Sequence, residues 1–449
     1  MVVPSISFPV AELRKIAGVQ SYEERMLFLL LLLADSATRI VYVTSVPIDP
    51  AIVDYYLRFL PDPDDARSRL ALVDVGDPSI GSLSAKLLGD PASLERLRTA
   101  VGRPEEGYML PFNVTPAETG LAAALGIPLL GPRPELVRLG SKSGSRQVAA
   151  RAGVRYLPGA EDLFSVKAVG AAIADLEAVR PEADAVVVKL NNGFSGQGNA
   201  IIELGGLAEP LPASATTFCA GEESWESFEA KIEAEGAIVE EVVRGEGLRS
   251  PSAQLQISAD GTIDLLSTHD QILGGPHNHV YVGCRFPARP DYRLTIQREA
   301  LKVAEVLAEE GVVGAFGIDF LVTGDGAVSL SEINLRMGGT THPFWMARLA
   351  TGGDYDPSTG ELRVGGGTRC YMATDNLKSP RLVGRTPAEV IATVDGSGLA
   401  FDPATATGVT LHLLGALPGA GKMGVTCIAE TTEQADRMYQ DVLTALDAH

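Results

Sequence analysis

The sequence is poor in positive charge, and this deficit limits the partners of the chain. Its 449 residues include 37 Lys and Arg against 57 Asp and Glu, a formal net charge of −20. A chain this acidic has no general affinity for polyanions, which argues against nucleic acid as a partner. With 45% hydrophobic residues it can bury sizeable cores, and at roughly 100 to 200 residues per domain its length suggests two to four domains.

Cysteine pairs and long apolar runs are also missing. The four cysteines are far apart and form no CxxC pair, which disfavours a zinc knuckle or a disulfide scaffold and fits a reducing cytoplasm. The most apolar run, Met26–Ala34, is shorter than the roughly 20 residues of a membrane span. We interpret it as a buried helix, with a signal peptide as the alternative. The sequence has no repeat or low-complexity tract, so we expect no disordered tail.

Alternating strand and helix patterns indicate an α/β domain in residues 1–135. Runs rich in β-branched residues at Arg39–Pro47 and Arg69–Asp77 flank a helical segment. The segment Gly107–Pro132 then has the pattern of a strand, a capped helix and a short strand. This order is typical of an open α/β sheet.

The rest of the chain has an α+β pattern. We expect residues 136–385 to form two lobes, a small one at about 185–245 and a larger one at about 250–385. Residues 386–449 contain two strand patterns and a helix pattern and are expected to form a small, separate C-terminal domain.

The segment around Asp319 predicts a β-hairpin. With a turn at Thr323–Gly326, Val322 would face Ala327. Asp319 would then lie diagonal to Glu332, and because side chains alternate along a strand the two carboxylates would share a face. Diagonal neighbours are roughly 7–8 Å apart at the backbone, a gap that two carboxylates can close around a shared cation.

The polar face of this hairpin is a candidate metal site. Asp319, Glu332 and Asn334 supply hard oxygen ligands of the kind that Mg²⁺ takes beside nucleotide phosphates. Arg336 follows on the same face, where its planar fork suits a phosphate or an acyl phosphate. The alternative is a polar face that is simply solvated, although such a face has no need of an uncharged Asn at this position.

A lysine followed by a glycine-rich loop forms a second candidate site. Lys189 ends a β-branched run, and its ammonium can pair with phosphate oxygens. Glycines would let backbone N–H groups of the loop turn toward a polyphosphate, as a lid. The alternative is an ordinary hairpin turn with the lysine reaching solvent. The predicted loop residues are Gly193, Ser195, Gly196 and Gly198.

The usual phosphate-binding fingerprints are absent. The glycine loop has neither the GxGxxG spacing nor a following GK[ST]. The tail segment "GALPGAGKMG" resembles a Walker A loop, but Met423 replaces the Ser or Thr that would hold Mg²⁺. We therefore discount Lys422 as a catalytic residue.

The segment "AIVEEVVRGEG" is a candidate hinge. A strand that ends at Glu240, Glu241 and Val243 could present backbone groups to an adenine edge, with a carboxylate such as that of Glu246 near ribose hydroxyls. Taken alone, the segment is equally an edge strand with charged residues.

The order of these elements, with Lys142 in "LGSKSGSRQVAARAGV" ahead of them, resembles the ATP-grasp superfamily of carboxylate–amine ligases. The matching region runs from about Arg138 to Pro343. The long form of the chain, with a tail domain, is similar to the peptide ligases of pheganomycin-type antibiotic biosynthesis. The resemblance implies a pre-ATP-grasp domain at the N-terminus and a nucleotide between two lobes.

The same resemblance implies the roles of individual residues. Lys142 and Lys189 would contact ATP phosphates, the hinge would hold the adenine, and the carboxylate hairpin would bind Mg²⁺. Two positions depart from the family pattern: Glu241 stands where many relatives have Lys, and Glu246 is one residue away from the usual position of the ribose carboxylate.

The implied reaction is ATP-dependent amide-bond formation through an acyl phosphate, with ADP and phosphate as products. We expect Arg336, Lys189 and Arg285 to be catalytic, and the loop that carries Arg285, with His277 and His279, to border the acceptor site; the two histidines could equally have no role. The expected partners are a small-molecule acid and the amine of a peptide or amino acid, with no nucleic acid and no membrane. We also expect the protein to be cytoplasmic and to form a homodimer. The alternatives are a kinase of a small acid and a non-catalytic nucleotide-binding module.

Overall fold

A computed structural model describes residues 1–193, 198–204, 216–219, 223–274 and 280–447 of the chain. Four residues named above therefore lie outside the described part, namely Ser195, Gly196, His277 and His279. Their predicted roles stay predictions. The expected boundaries of the domains, near residues 135 and 385, are likewise retained as predictions.

The N-terminal lobe is an α/β layer, as its pattern predicts. Within the described residues its sheet has four parallel strands in the order β3-β2-β1-β4. The strands are β1 (Val2–Val3), β2 (Ile40–Thr44), β3 (Leu70–Asp74) and β4 (Leu110–Pro111). The helices are α1 (Val10–Leu13), α2 (Pro50–Leu57), α3 (Pro63–Ser68), α4 (Leu83–Gly89), α5 (Pro91–Val101) and α6 (Pro116–Leu125), with 3₁₀ segments at Val19–Ala34 and Pro104–Glu106.

The leucine-rich run lies inside the 3₁₀ segment Val19–Ala34, where most of its apolar side chains are buried. They share one core with Val409, Met423 and Val425, which belong to the C-terminal part of the chain. The run is thus a core element, as expected. In the described ranges the structure contains no helix with the length and apolarity needed to cross a bilayer.

A small lobe follows a connecting 3₁₀ segment, Pro134–Gly140, and the helix α7 (Lys142–Arg151). Its described strands form an antiparallel sheet in the order β5-β9-β6-β7-β8. The elements are β5 (Gly159–Leu163), α8 (Val166–Val179), β6 (Ala185–Leu190), β7 (Asn199–Glu203), β8 (Thr216–Phe218), α9 (Trp225–Glu235) and β9 (Ala237–Glu241). Both helices pack on one face of this sheet, which leaves the other face toward the rest of the molecule.

The large lobe is built on a mostly antiparallel sheet whose described strands run in the order β14-β13-β10-β11-β12-β17-β16-β15. Its strands are β10 (Pro251–Ile257), β11 (Ile263–Gly274), β12 (Val280–Phe286), β13 (Gly314–Val322), β14 (Val328–Asn334), β15 (Asp354–Asp356), β16 (Glu361–Val364) and β17 (Gly367–Lys378). Its helices are α10 (Arg293–Glu309) and α11 (Thr341–Thr351), with a 3₁₀ segment at Pro380–Leu382.

The strands of the tail join the large sheet. Its strand β19 (Lys422–Ala429) pairs with β17, and β18 (Gly408–His412) pairs with β19. The apolar faces of these strands are buried against the N-terminal lobe, so the tail completes the central core. The remaining elements of the tail are α12 (Pro387–Gly396), a 3₁₀ segment at Leu414–Ala416, α13 (Leu417–Ala420) and α14 (Thr432–Asp447).

The segment Thr268–Pro287, which carries Arg285 and was expected to be a loop, is largely strand in its described residues. The end of β11 pairs with β12 as a second hairpin, in which Asp270 faces Arg285. Regular pairing fixes the direction of each side chain, so this segment places its residues more tightly than a loop would.

Candidate active site

A cavity of about 800 Å³ lies where the three lobes meet. The small sheet contributes Val187 and Lys189, the large sheet contributes Gln254 and Asp319, and the N-terminal lobe contributes Phe8. Clefts between lobes are common ligand sites, because each lobe can supply groups of different chemistry.

The carboxylate hairpin forms one wall of this cavity. Asp319 lies directly opposite Glu332, and Gly317 lies opposite Asn334, so all three polar side chains share a face as the alternation predicts. The predicted register is wrong by one residue at the turn, where Val322 pairs with Val328, and by two at Asp319, which is opposite Glu332 instead of diagonal to it. A β-bulge between Asp319 and Phe320 adds the second residue of this shift.

The hydrogen bonds of Asp319 hold its carboxylate toward the cavity. Gln271 Nε2 donates to Asp319 Oδ1 at 2.7 Å, and Asn334 Nδ2 donates to Asp319 Oδ2 at 3.1 Å. Burial, followed by repulsion from Glu332, raises the pKa of Asp319 to about 7. Burial alone would also raise the pKa of Glu332, but the nearby ammonium of Lys142 outweighs it and the pKa is lowered.

These residues fit a divalent cation. Two opposed carboxylates and one amide are hard oxygen donors, and a cation between them would relieve the repulsion that raises the pKa of Asp319. The ammonium of Lys142 contacts Glu332 and so stands where positive charge is favoured. No group of three or more His, Cys, Asp and Glu side chains in the described residues is arranged for a metal, so the remaining ligands would come from a bound phosphate and water.

Lys142 is positioned by the packing of α7 on the hairpin and on the end of β6. Ser145 Oγ accepts from the backbone N–H of Ile333 at 2.9 Å, and Asn191 Oδ1 accepts from the N–H of Ser143 at 2.9 Å. Lys142 Nζ also donates to the carbonyl of Gly193 at 3.2 Å. Sequence reasoning missed Ser145 and Asn191, which are polar, buried and unremarkable in a linear pattern.

Lys189 belongs to a buried ion-pair network. Its Nζ lies 2.7 Å from Glu240 Oε2, and Arg146 Nη1 lies 2.8 Å from Glu240 Oε1. The Glu240 side chain is 1% exposed, so its carboxylate holds Lys189 and is not presented to a ligand; the predicted role of Glu240 in cofactor binding, through the backbone of the hinge, stays a prediction. Burial lowers the pKa of Lys189, but the Glu240 carboxylate outweighs it and the pKa is raised. Sequence reasoning also missed Arg146.

Of the predicted lid residues, the structure describes Gly193 and Gly198, which lie between the paired strands β6 and β7. Lys189 pairs with Asn199 across the two strands, and the N–H of Leu190 donates to the carbonyl of Gly198 at 2.8 Å. Gly198 has φ +77°, a left-handed conformation that favours glycine. Gly193 lines the cavity beside Lys142.

The predicted hinge lies at the end of β9. Glu241, Val242 and Val243 line the cavity, although the Glu241 carboxylate is paired with Arg180 at 3.0 Å. Glu246 does not line the cavity and is exposed, so the structure does not support the ribose contact expected of it. Apolar side chains flank the hinge in a slot that suits a flat base, and they are Leu157, Val187, Ile201, Leu248 and Leu321.

Arg336 projects from the end of the hairpin into the cavity. Its guanidinium donates to Asn334 Oδ1 at 3.0 Å and to the carbonyl of Met337 at 2.9 Å, and it lies 5.7 Å from the Phe8 ring centroid. Burial lowers the pKa of Arg336, and the charge of Arg25 lowers it further. Arg336 therefore lies between the carboxylate hairpin and a second group of charges.

Arg285 is not in the cavity wall. Its Nε pairs with Asp436 of α14 at 2.9 Å, and both side chains are about 40% exposed. The predicted catalytic role is therefore not supported by its position. Gln271 of β11 and Tyr281 of β12 do line the cavity. These two residues, and not Arg285, are the part of the segment that could border a substrate site.

Sequence reasoning missed the charges at the far side of the cavity. Arg25 forms an ion pair with Asp375, and its guanidinium carbon lies 4.1 Å from the ring centroid of Tyr22. Lys422, which the motif comparison had discounted, donates to Tyr22 Oη at 2.5 Å and lines the same cavity. Burial raises the pKa of Asp375, but Arg25, His342, His412 and Lys422 together outweigh it and the pKa falls to about 2.

The comparisons with known proteins agree with this arrangement. A family model described as ATP-grasp domain matches residues 172–340, and one described as PGM1 C-terminal domain matches residues 389–442. The L-propargylglycine–L-glutamate ligase of Streptantibioticus cattleyicolor is 34% identical over 443 residues, covering 94% of this chain and 89% of that protein.

Solved structures share the fold at low identity. A biotin carboxylase–β-γ-ATP complex from Campylobacter jejuni has a TM-score of 0.58 at 15% identity, covering 93% of this chain and 89% of that one. The dimeric biotin carboxylase domain of 2-oxoglutarate carboxylase from Hydrogenobacter thermophilus, in complex with MgADP, ADP and bicarbonate, has a TM-score of 0.56 at 16% identity, covering 94% and 88% of the two chains.

Proposed function

Because this chain belongs to the ATP-grasp family of carboxylate–amine ligases, we propose that it joins two amino-acid substrates, or an amino acid and a peptide, through an amide bond. ATP is consumed and an acyl phosphate is the activated intermediate. One observation carries the proposal: Lys142 and Lys189, from different elements, meet Asp319, Glu332 and Arg336 in one cavity.

The nucleotide would lie between the small sheet and the carboxylate hairpin. Its base fits the apolar slot beside Val243, and its phosphates would reach Lys142 and Lys189. Both lysines already face carboxylates, so phosphate binding would exchange or share existing ion pairs. Glu240 would keep Lys189 in place throughout.

Asp319, Glu332 and Asn334 would hold Mg²⁺. When bound, such an ion supplies charge neutralisation at the transferred phosphoryl group. The side chains of the protein then contribute position: Gln271 and Asn334 fix the Asp319 carboxylate, and Ser145 fixes the strand that carries Glu332.

The reaction has two steps. In the first, a carboxylate oxygen of the acid attacks the γ-phosphorus of ATP, the bond to the β–γ bridging oxygen breaks, and ADP leaves. In the second, the amine nitrogen attacks the acyl carbon, the bond to the phosphate oxygen breaks, and the amine proton passes to solvent. Arg336 is placed to hold the oxygens that carry negative charge in both steps. Closed walls around the acyl phosphate would limit its hydrolysis.

The substrate class is supported by the relative from Streptantibioticus cattleyicolor, whose name specifies two amino acids. We also propose a cytoplasmic location, which the four buried free cysteines support. A homodimer is proposed as well, and light scattering on the purified protein would test it.

Product analysis tests the ligase. The purified protein is incubated with ATP, Mg²⁺ and pairs drawn from a panel of amino acids, and ADP and AMP are measured. We expect ADP, at a rate that rises strongly when both an acid and an amine are present, and a hydroxamate when hydroxylamine replaces the amine. AMP and pyrophosphate as products would contradict the mechanism. ADP release that needs no amine, with a stable phosphorylated acid as product, would indicate a kinase.

A further inference from the structure

The side of the cavity opposite the nucleotide has a composition of its own. It is lined by Tyr22, Arg25, Asp375, Lys378 and Lys422, and we call these residues the cationic end. Building on the proposed ligase function, we propose that the cationic end binds a carboxylate that the reaction does not consume, namely the free carboxylate of an amino-acid substrate.

Charge is the first argument. The whole chain has a formal net charge of −20, yet the cationic end contains three cations and one carboxylate among its described residues. Lys15 also lines the cavity but pairs with Glu12 at 2.8 Å, so it is not counted. A local excess of positive charge in an acidic protein indicates an anionic ligand.

The pairing of strands makes this excess more pronounced. Lys378 and Lys422 are direct partners across β17 and β19, and residues directly opposite each other share a face of the sheet. Lys422 is buried and Lys378 is exposed, and both line the cavity. The pairing therefore adds a solvent-exposed cation beside the buried one.

Burial is the second argument. Lys422 is 6% exposed, and among the described residues its hydrogen-bond partner is the neutral hydroxyl of Tyr22, with no ion pair. Burial lowers the pKa of Lys422 accordingly. Arg25 Nε is also buried and has no hydrogen-bond partner in the described part of the chain. Buried charged donors that lack partners are costly, so these groups are suited to a ligand.

Position identifies the ligand as part of a substrate. Arg25 acts electrostatically on Arg336, so the cationic end adjoins the group that would hold the acyl phosphate. The nucleotide phosphates have their own lysines at the other side of the cavity. Amino-acid substrates of the proposed reaction retain a carboxylate that is not activated, and this carboxylate matches the charge and the place. Asp375 would keep Arg25 oriented toward it.

The test compares each substrate with its carboxamide. In the best acid–amine pair from the panel, the free carboxylate of each partner is replaced in turn by a carboxamide, and KM is measured for the wild type and for Lys422→Met. In the wild type, one of the two replacements should raise KM about 10- to 100-fold, the range expected for losing a hydrogen bond to a charged group. In Lys422→Met, the ratio of KM for the carboxamide to KM for the carboxylate should fall to near one, while KM for ATP stays the same.

Two further variants separate ligand binding from structure. Lys422→Arg keeps a cation and should restore most of the discrimination. Lys86→Met removes a lysine whose Nζ donates to Ser45 Oγ at 3.0 Å in the N-terminal lobe, and it should retain the wild-type ratio. The melting temperature of Lys422→Met shows whether this variant is folded. If it is folded and its ratio of KM for the carboxamide to KM for the carboxylate equals that of the wild type, the proposal is overturned.

A binding experiment keeps this proposal distinct from the ligase itself. If no pair of substrates releases ADP, the proposed function fails, and the cationic end is then tested by calorimetry with L-glutamate and L-glutamic acid α-amide. Binding of glutamate that weakens with the amide and in Lys422→Met would support the proposal. Equal binding of both compounds, or displacement of glutamate by inorganic phosphate at lower concentration, would overturn it in favour of a phosphate site.

Discussion

The two ends of the cavity carry similar side chains but pair them differently. At the nucleotide end, Lys142 faces Glu332 and Lys189 faces Glu240, so each cation has a carboxylate. At the cationic end, Arg25 has the carboxylate of Asp375, but the described residues give buried Lys422 only the neutral hydroxyl of Tyr22. Paired charges are suited to a ligand that brings its own counter-ions, whereas unpaired cations are suited to a bare anion. This difference suggests which substrate each end receives.

Removing a carboxylate from the nucleotide end should have the largest effect. Glu332→Gln is expected to lower the rate of ADP release about 100- to 1,000-fold, as when one preorganised charge-stabilising group is lost. Glu305→Gln, at an exposed position of α10, is the matched control and should behave as the wild type. Turnover of Glu332→Gln within a few-fold of the wild type at saturating magnesium would rule out the metal role.

Breaking the buried network behind Lys189 should cost stability. Glu240→Gln leaves Arg146 and Lys189 without their shared carboxylate, and loss of one partner of a buried ion pair costs about 3–5 kcal/mol of the free energy of unfolding. Glu161 also pairs with Arg146 but is 33% exposed, so Glu161→Gln should cost less than about 1 kcal/mol. Urea unfolding of both variants checks the contrast, and equal losses would contradict the network described above.

The histidines near the cationic end should make the protein sensitive to acid. His342 Nε2 and His412 Nε2 are 2.9 Å apart and buried. Burial lowers the pKa of His412 to about 4, while Asp375 raises it and Arg25 lowers it. Because the folded pKa is depressed, stability is present above about pH 6.5 and is lost as the pH falls toward 4.

Replacing one histidine should flatten this dependence. For His412→Asn we expect the loss of unfolding free energy between pH 6.5 and 4 to shrink by on the order of 3 kcal/mol. Denaturation at a series of pH values provides the measurement. A wild-type profile that is flat over this interval would show that the pair does not remain neutral in the folded protein.

The smallest effect is expected outside the cavity. Arg285 and Asp436 form an ion pair in which both side chains are about 40% exposed. Such pairs contribute about 0–1 kcal/mol, so Arg285→Met should unfold almost like the wild type, with unchanged KM for both substrates. A loss of turnover comparable to that of Glu332→Gln would reinstate the catalytic role predicted from the sequence.

The sequence signals of the carboxylate hairpin are mostly local. Alternation along β14 places Glu332 and Asn334 on one face, whereas Asp319 on the neighbouring strand shares that face only in the right register. The hairpin register was missed by one residue at the turn and by two at Asp319, since a bulge depends on packing and leaves little trace in a short pattern.

The cationic end could not be predicted in the same way. Its residues lie in the N-terminal lobe, in β17 and in β19, and they meet only because the tail pairs with the central sheet. Lys422 was judged against a phosphate-loop motif, and failure to match that motif says nothing about where strand pairing places the residue. Interactions across several hundred residues require the fold itself.

That pairing also determines the order in which the newly made chain can become stable. Tyr22 and Lys422 are 400 positions apart, and at about 5–20 residues per second a ribosome takes on the order of 20–80 seconds to synthesise the stretch between them. During that interval the leucines of Val19–Ala34 lack the C-terminal strands that share their core. This apolar surface is therefore made well before the strands that cover it, so demand for chaperones during synthesis should fall only when β19 has emerged.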